Sequence, residues 1–228
     1  MSEALSAVVL GATGAVGSET VRALLRGGCR VTTLGRRPLE LDATADERSR
    51  LTQHTVDVFD PGSYRALLPG HAVAIATFGV GQPSKVPKEE FLRVDITCVD
   101  AFATSCREAG IPRFSLMTSM GSDPTSRFDY LRLKGELEER VGALGFERVS
   151  VFQPSMLITK TNRYGPVQGL FLFVFRHANW LLPGPWRRFR GIRVEALGEA
   201  IARDAMQGGT GFERLRWDQF VGLSARSQ

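Results

Sequence analysis

A doubly wound α/β fold, a parallel sheet covered by helices on both faces, is what this sequence predicts. Three observations carry the expectation. Short runs rich in Val, Ile, Leu, Phe and Thr alternate with segments of helical spacing as far as about residue 158. Several helical segments stop at glycine, as at Arg26-Gly27-Gly28 and Glu108-Ala109-Gly110, where a left-handed residue ends a helix at little cost. A glycine-spaced stretch, LGATGAVGSETVRALL at residues 10 to 25, stands between the first apolar run and the first helical segment.

The first strand is expected at 6 to 11 (SAVVLG), apolar without alternation, as in a strand buried on both faces. A helix at 15 to 27 follows, its apolar side formed by Val16, Val21, Ala23, Leu24 and Leu25. Further strands are expected at 29 to 34 (CRVTTL), 53 to 58 (QHTVDV), 72 to 77 (AVAIAT), 113 to 118 (RFSLMT) and 148 to 153 (RVSVFQ). Helical segments at 62 to 69, 88 to 109 and 126 to 143 separate them, making six strands in all. Beyond residue 158 the chain is rich in aromatic residues, proline and arginine to about 191, then resumes with the helix-like IRVEALGEAIARDAMQ and a strand-helix fragment, FERLRWDQFVGL. The expected organisation is one Rossmann-like domain over 1 to 228. Residues 159 to 191 form a variable cap or substrate segment, and the whole of 159 to 228 lies over the strand carboxyl ends.

Gly11, Gly14 and Gly17 sit where a strand turns into a helix, and that context gives each a physical task. The first allows the tight turn, the second lets backbone approach a pyrophosphate, and the third lets the helix pack on the strand. The free N–H groups and positive end of the helix then favour a phosphate, with Thr13, Ala15 and Val16 in the same turn. At the end of the second strand a carboxylate would select NAD, whereas an arginine accommodates the 2′-phosphate of NADP. The sequence there is Gly35-Arg36-Arg37, with no acid until Glu40, so NADP(H) is expected over NAD(H). Asp57 stands after the third strand, where it could meet the adenine amine or simply end the strand. Phe78 and Gly79 follow the fourth strand, on the nicotinamide side.

In FDYLRLKGELEE, Tyr130 and Lys134 are four apart and share one helix face. A phenol with a reference pKa of about 10 is a poor proton-transfer group at neutral pH. A lysine cation and an oxidised nicotinamide beside it would favour the phenolate. After the fifth strand, Ser119 and Ser122 both offer a hydroxyl to a substrate carbonyl oxygen. Together these residues suit hydride transfer with Tyr130 as acid or base.

The segments GATGAVG, GRRP, TSMGSD and YLRLKGE, in this order, resemble the atypical short-chain dehydrogenase/reductase superfamily. GRRPLELD, the GH at 70 and 71, FLRVD at 91 to 95, YLRLKGELEERV and SVFQPSMLI are similar to the Tat-interacting protein oxidoreductase group. The resemblance spans about residues 6 to 160. It implies a Rossmann-like fold, an NADPH site, Tyr130 as proton donor or acceptor beside Lys134, and Pro154 to Leu157, with Met156 among them, near the nicotinamide. The sequence departs from commoner reductases in three places: Thr77-Phe78-Gly79-Val80 replaces an N-N-A-G stretch, Asp95 stands where many relatives place an asparagine, and Ser119 stands 11 residues before Tyr130, closer than in most, so that Ser122 competes with it.

With 43% apolar and 23% charged residues in 228, the chain has the composition of a folded globular protein, not a disordered or fibrous one. Its net charge of +5 is concentrated in Arg36-Arg37 and in Trp186-Arg187-Arg188-Phe189-Arg190. Three cysteines, Cys29, Cys98 and Cys106, form no C-x-x-C pair, so neither a disulfide framework nor a metal site is expected. A cytoplasmic setting is expected from these thiols and from a start that lacks a basic leader. His54, His71 and His177 lack metal spacing. No transmembrane segment and no nucleic-acid partner are expected. The aromatic segment up to Arg190 could line a substrate pocket, form a homodimer face or touch a membrane surface, with packing against the body as the plainest reading. The expected function is NADPH-dependent reduction of a small carbonyl or enoyl-type substrate. The alternatives are an NADP(H)-binding regulator or sensor, and a sugar-nucleotide-type epimerase.

Overall fold

The computed structural model describes residues 4–81, 85–159 and 184–225. Among these residues seven parallel strands form one sheet: β1 (Ser6–Leu10), β2 (Arg30–Gly35), β3 (Leu51–Thr55), β4 (Val73–Ala76), β5 (Arg113–Met117), β6 (Arg148–Phe152) and β9 (Gly211–Leu215), in the order β3-β2-β1-β4-β5-β6-β9. β1 lies between β2 and β4, so the crossovers diverge there and leave a crevice at the strand carboxyl ends. Two short strands, β7 (Leu157–Ile158) and β8 (Ile192–Arg193), pair apart from this sheet.

The apolar run of β1 divides as a doubly covered strand must. Ala7 and Val9 enter one core, and Val8 and Leu10 enter the other. On the first face lie α1 (Ala15–Arg26), α6 (Val194–Gln207) and α7 (Trp217–Ala225). Val16, Val21, Leu24 and Leu25 of α1 meet Leu197 and Ile201 of α6 there. On the second face, α4 (Cys98–Glu108) and α5 (Asp129–Ala143) bury Phe102, Leu137 and Val141 against Phe114 and Val151. Close packing of α1 on α6 depends on Gly198. A Cβ there would stand 2.7 Å from the Glu19 Cβ and 2.8 Å from the Thr20 nitrogen.

Several expectations are corrected. The sheet has seven strands, because FERL extends beside β6. The helix expected at 62 to 69 is two single turns, Pro61–Ser63 and Arg65–Leu67, since Asp60 caps Gly62 and Pro69-Gly70 ends the segment. The segment at 88 to 109 is interrupted: α3 (Lys88–Phe91) passes into a π-helical turn, Leu92–Thr97, before α4 begins. The strand expected at 53 to 58 pairs over β3, earlier in the chain, and the helix expected from 126 starts only at Asp129. A short helix missed by periodicity, α2 (Ala45–Ser49), is set by a capping box in which Thr44 accepts from the Glu47 nitrogen while Glu47 accepts from the Thr44 nitrogen.

The remainder of the chain is also not one cap. Residues 194–225 supply α6, β9 and α7 to the body, burying Leu197, Ile201, Leu215 and Phe220. Of the cap expected at 159 to 191, residues 160–183, including His177 and Trp180, lie outside the described residues.

The contrast between two helix glycines is testable. Gly198→Ala must push α1 from α6 and is expected to lower stability by about 1–3 kcal/mol. Gly222→Ala, in α7 with open space around it, is expected to be neutral or stabilising by up to about 1 kcal/mol. Urea titration with unchanged m-values checks both.

Candidate functional site

The crevice beside β1 is built first from glycine. Gly11 has a φ of 91°, and a Cβ there would meet the Phe78 nitrogen at 2.6 Å, so the turn after β1 can press against the end of β4 only without a side chain. A Cβ on Gly17 would collide with the Gly11 carbonyl and stand 2.7 Å from Thr77 Oγ1, which fixes α1 tightly on the turn. Gly14 caps α1 without a side-chain hydrogen bond, and the first turn carries no acid. The positive helix end is therefore left for an external anion.

Arg36 and Arg37 share one cavity of about 410 Å³ with Gly11, Ala12, Thr13, Thr33 and Leu39. Phe78 lines this cavity and a neighbouring one of about 680 Å³, which Gly79, Val80 and Arg93 also line. A cavity lined by the Gly11–Thr13 turn and two arginines, next in sequence to a helix start without a side-chain cap, suits a dinucleotide. Val16 is different. Its side chain is buried in the core, leaving only its backbone for a ligand, and Ala15 packs against the same core. Asp57 is exposed, and its Oδ1 accepts from the Phe59 nitrogen at 3.0 Å, so it holds the turn after β3.

At the far side of the crevice, α5 brings Tyr130 and Lys134 to one face. The Tyr130 ring is half-buried and tilts against Phe91 with centroids 5.3 Å apart, and the Ser119 side chain is near enough to act on its hydroxyl. Ser122 turns into its own loop, donating to the Ser119 carbonyl at 2.8 Å. Lys134 lies within α5's buried face and forms an ion pair with Asp95 of the π-helical turn, Nζ to Oδ1 2.9 Å, with side chains 4% and 6% exposed. The other Asp95 oxygen accepts from the Val80 nitrogen at 2.8 Å. The Lys134 cation is thus paired across the cleft with Asp95. Burial raises the Tyr130 pKa above the usual phenol range, the Ser119 hydrogen bond opposes this, and the Asp95 charge adds to the rise.

The chain after β6 completes this wall. The buried Pro154 accepts at its carbonyl from the Met120 nitrogen at 2.9 Å, tying the Ser119 loop to the end of β6. Met156 accepts from the Ile192 nitrogen at 2.8 Å, and Leu157 pairs with Ile192 in the small sheet.

Two supports escaped sequence reasoning. Gly135 follows Lys134, and a Cβ there would collide with backbone at Asp123 and Pro124, so α5 approaches the serine loop only with glycine at this place. Glu138 is fully buried. It accepts from Thr118 Oγ1 at 2.6 Å, Gln153 Nε2 at 2.9 Å and Arg214 Nε at 2.7 Å, joining α5 to the ends of β5, β6 and β9. Its spacing, four beyond Lys134 on the same helix face, was the available signal. Among the described residues no group of His, Cys, Asp and Glu could hold a metal ion. His71 bridges Leu68 and Thr32 as a structural residue.

A family model described as NAD(P)H-binding matches residues 11–147. Protein HTATIP2 of Rattus norvegicus is 30% identical over 208 residues, covering 90% of this chain and 83% of its own. Protein fmp52, mitochondrial, of Aspergillus fumigatus is 31% identical over 73% of this chain and 72% of its own. Among solved structures, MoeE5 in complex with UDP-glucose and NAD superposes with a TM-score of 0.66 at 16% identity, covering 97% of this chain and 81% of that one, a likeness of fold alone. The cytoplasmic expectation is overturned by these relatives, since the fmp52 proteins of Aspergillus fumigatus and Candida albicans are named mitochondrial. The three cysteines are free and buried, which does not distinguish one compartment from another.

Removal of Glu138 is expected to be costly, because Gln153 and Thr118 would be left without their buried acceptor. Glu138→Ala should lower stability by about 3 kcal/mol or more by denaturant titration, whereas Glu213→Ala, an exposed partner of Arg148, should cost under about 1 kcal/mol.

Proposed function

We propose, from the premise that the chain belongs to the NAD(P)H-binding family, that it is an NADP(H)-dependent oxidoreductase that reduces a small carbonyl or enoyl-type substrate. The single observation that carries this reading is the sharing of one cavity by the Gly11–Thr13 turn and the Arg36–Arg37 pair. Among the described residues no carboxylate lines that cavity to select a ribose hydroxyl, and two planar guanidiniums match a phosphate monoester bidentately. The epimerases among the structural neighbours support the fold, not their reaction, at 12–16% identity.

The bound dinucleotide supplies the hydride. Gly11, Thr13, Gly14, Ala15, Val16 and Gly17 take the pyrophosphate through backbone N–H groups and the positive end of α1. Arg36 and Arg37 take the 2′-phosphate. Phe78 and Gly79 on one side, and Pro154, Met156 and Leu157 on the other, shape the nicotinamide end and exclude water from it. Ser119 orients the phenol of Tyr130 and shares the substrate oxygen with it. Tyr130 then acts as the acid: its O–H bond breaks, an O–H bond forms on the substrate, and the phenolate regains a proton from water. Lys134 fixes this geometry from beneath.

Fluorescence titration of the purified protein with NADPH and NADH tests the reading. NADPH is expected to bind at least roughly tenfold more tightly, a difference of about 1.4 kcal/mol. The Arg36→Ala/Arg37→Ala variant should erase the difference. Tyr130→Phe should keep the binding and lower turnover by about 100-fold or more in a carbonyl screen. Absence of binding by either nucleotide, or preference for NADH, would overturn the proposal.

A further inference from the structure

Leu39 follows the arginine pair, and the way its backbone is held bears on how the two guanidiniums are presented. Its side chain is buried in the core of the first face, so its N–H and C=O need partners within the protein. Both come from one side chain. The amide of Gln53, on the edge strand β3, accepts from the Leu39 nitrogen at 2.7 Å through Oε1 and donates from Nε2 to the Leu39 carbonyl at 3.2 Å. The same Oε1 receives the Thr33 hydroxyl at 3.4 Å, and Thr33 stands opposite Gln53 in the ladder of β2 and β3. A primary amide offers a donor and an acceptor side by side, as the backbone of a neighbouring strand would.

The result is a short loop fixed at both ends. Gly35 is held in the ladder opposite Thr55, and its carbonyl accepts from the Val56 nitrogen at 3.0 Å. Leu39 is held by Gln53. Between them lie Arg36, Arg37 and Pro38, and the proline restricts its own backbone and that of Arg37. Both arginines are exposed, and among the described residues neither guanidinium has a hydrogen bond or ion pair of its own. Their placement therefore comes from the two ends of the loop. Thr33 and Leu39, the residues that Gln53 joins, line the cavity together with both arginines.

We propose that Gln53 is a positioning residue for cofactor choice: by pairing with the Leu39 backbone it holds Arg36 and Arg37 in the shape that receives a 2′-phosphate. This rests on the NADP(H) reading and adds to it a residue, outside the arginine pair, that sets the preference. Guanidiniums ordered before binding lose less freedom when they take up the phosphate, so the loop's order favours the nucleotide that carries that group. NADH has no 2′-phosphate and gains nothing from the same order. Loosening the loop is thus expected to fall on NADPH alone, whereas a general structural role for Gln53 would weaken both nucleotides in proportion.

The test is fluorescence titration of wild type, Gln53→Met and Thr52→Met with NADPH and with NADH, alongside hydrogen exchange at the Leu39 amide read by NMR without nucleotide. Gln53→Met keeps the side-chain length and removes both hydrogen bonds to Leu39, and Thr52→Met changes the exposed neighbour on the same strand. In Gln53→Met the ratio of NADPH to NADH affinity is expected to fall by about fivefold or more, with NADH affinity within about twofold of the wild type. The Leu39 amide should exchange about tenfold faster. Thr52→Met should leave the ratio unchanged. A ratio in Gln53→Met within about twofold of the wild type, or an equal loss for both nucleotides, would overturn the inference alone. Equal binding of NADPH and NADH by the wild type would instead overturn the NADP(H) reading, and this inference with it.

Discussion

The buried contact between Asp95 and Lys134 is the constraint on which the arrangement of the cleft depends. Each charge alone would carry a desolvation cost of several kcal/mol, so neither is tolerated there without the other. Together they join three separate segments: the π-helical turn, the loop after β4 through the Val80 nitrogen, and α5. Removing one partner of a buried pair typically costs about 3–5 kcal/mol. The exposed pairs on the same helix, such as Arg132 with Asp129, belong to a class worth about 0.2–1 kcal/mol. The difference identifies which of the ion pairs determines geometry and which only decorate the surface.

The nucleotide side and the tyrosine side of the crevice are held by different physics. Close approach governs the first: Gly11 and Gly17 remove side chains where the turn, α1 and the end of β4 converge, and the turn that leads into α1 lines the cavity. Polar satisfaction governs the second. Glu138 gathers Thr118, Gln153 and Arg214 beneath the strand ends, and the residues that follow two of them, Ser119 and Pro154, line the wall that carries Tyr130. Gly135 joins the two principles, because the helix bearing Lys134 and Glu138 reaches the serine loop only where a Cβ is missing.

Much of this was legible in the sequence, and the boundary of legibility has physical causes. β1 and α1 were readable because their burial follows simple periods, and the glycine turn was readable because its task requires that residue type at those places. The π-helical turn was not, since one extra residue within an apolar helix leaves the ordinary 3.6-residue pattern almost intact. The helix expected at 62 to 69 failed because local chemistry at Asp60, Pro61 and Pro69 outweighed apolar content. β9 was recognisable as a strand, but its place beside β6 depends on tertiary pairing. Asp95 was noticed as a departure, yet its partner lies 39 residues away and only the fold brings them together. The thiols misled about compartment because burial and reduction are common to several compartments.

The most direct test of the central claim is a double-mutant cycle on Asp95→Asn and Lys134→Met, read as unfolding free energy by urea titration. If the pair is the clamp that joins the π-helical turn to α5, the coupling energy should reach about 2 kcal/mol, with the double variant little worse than the more damaging single one. Effects that add to within about 0.5 kcal/mol would contradict it, and would mean that the two walls of the cleft are held independently.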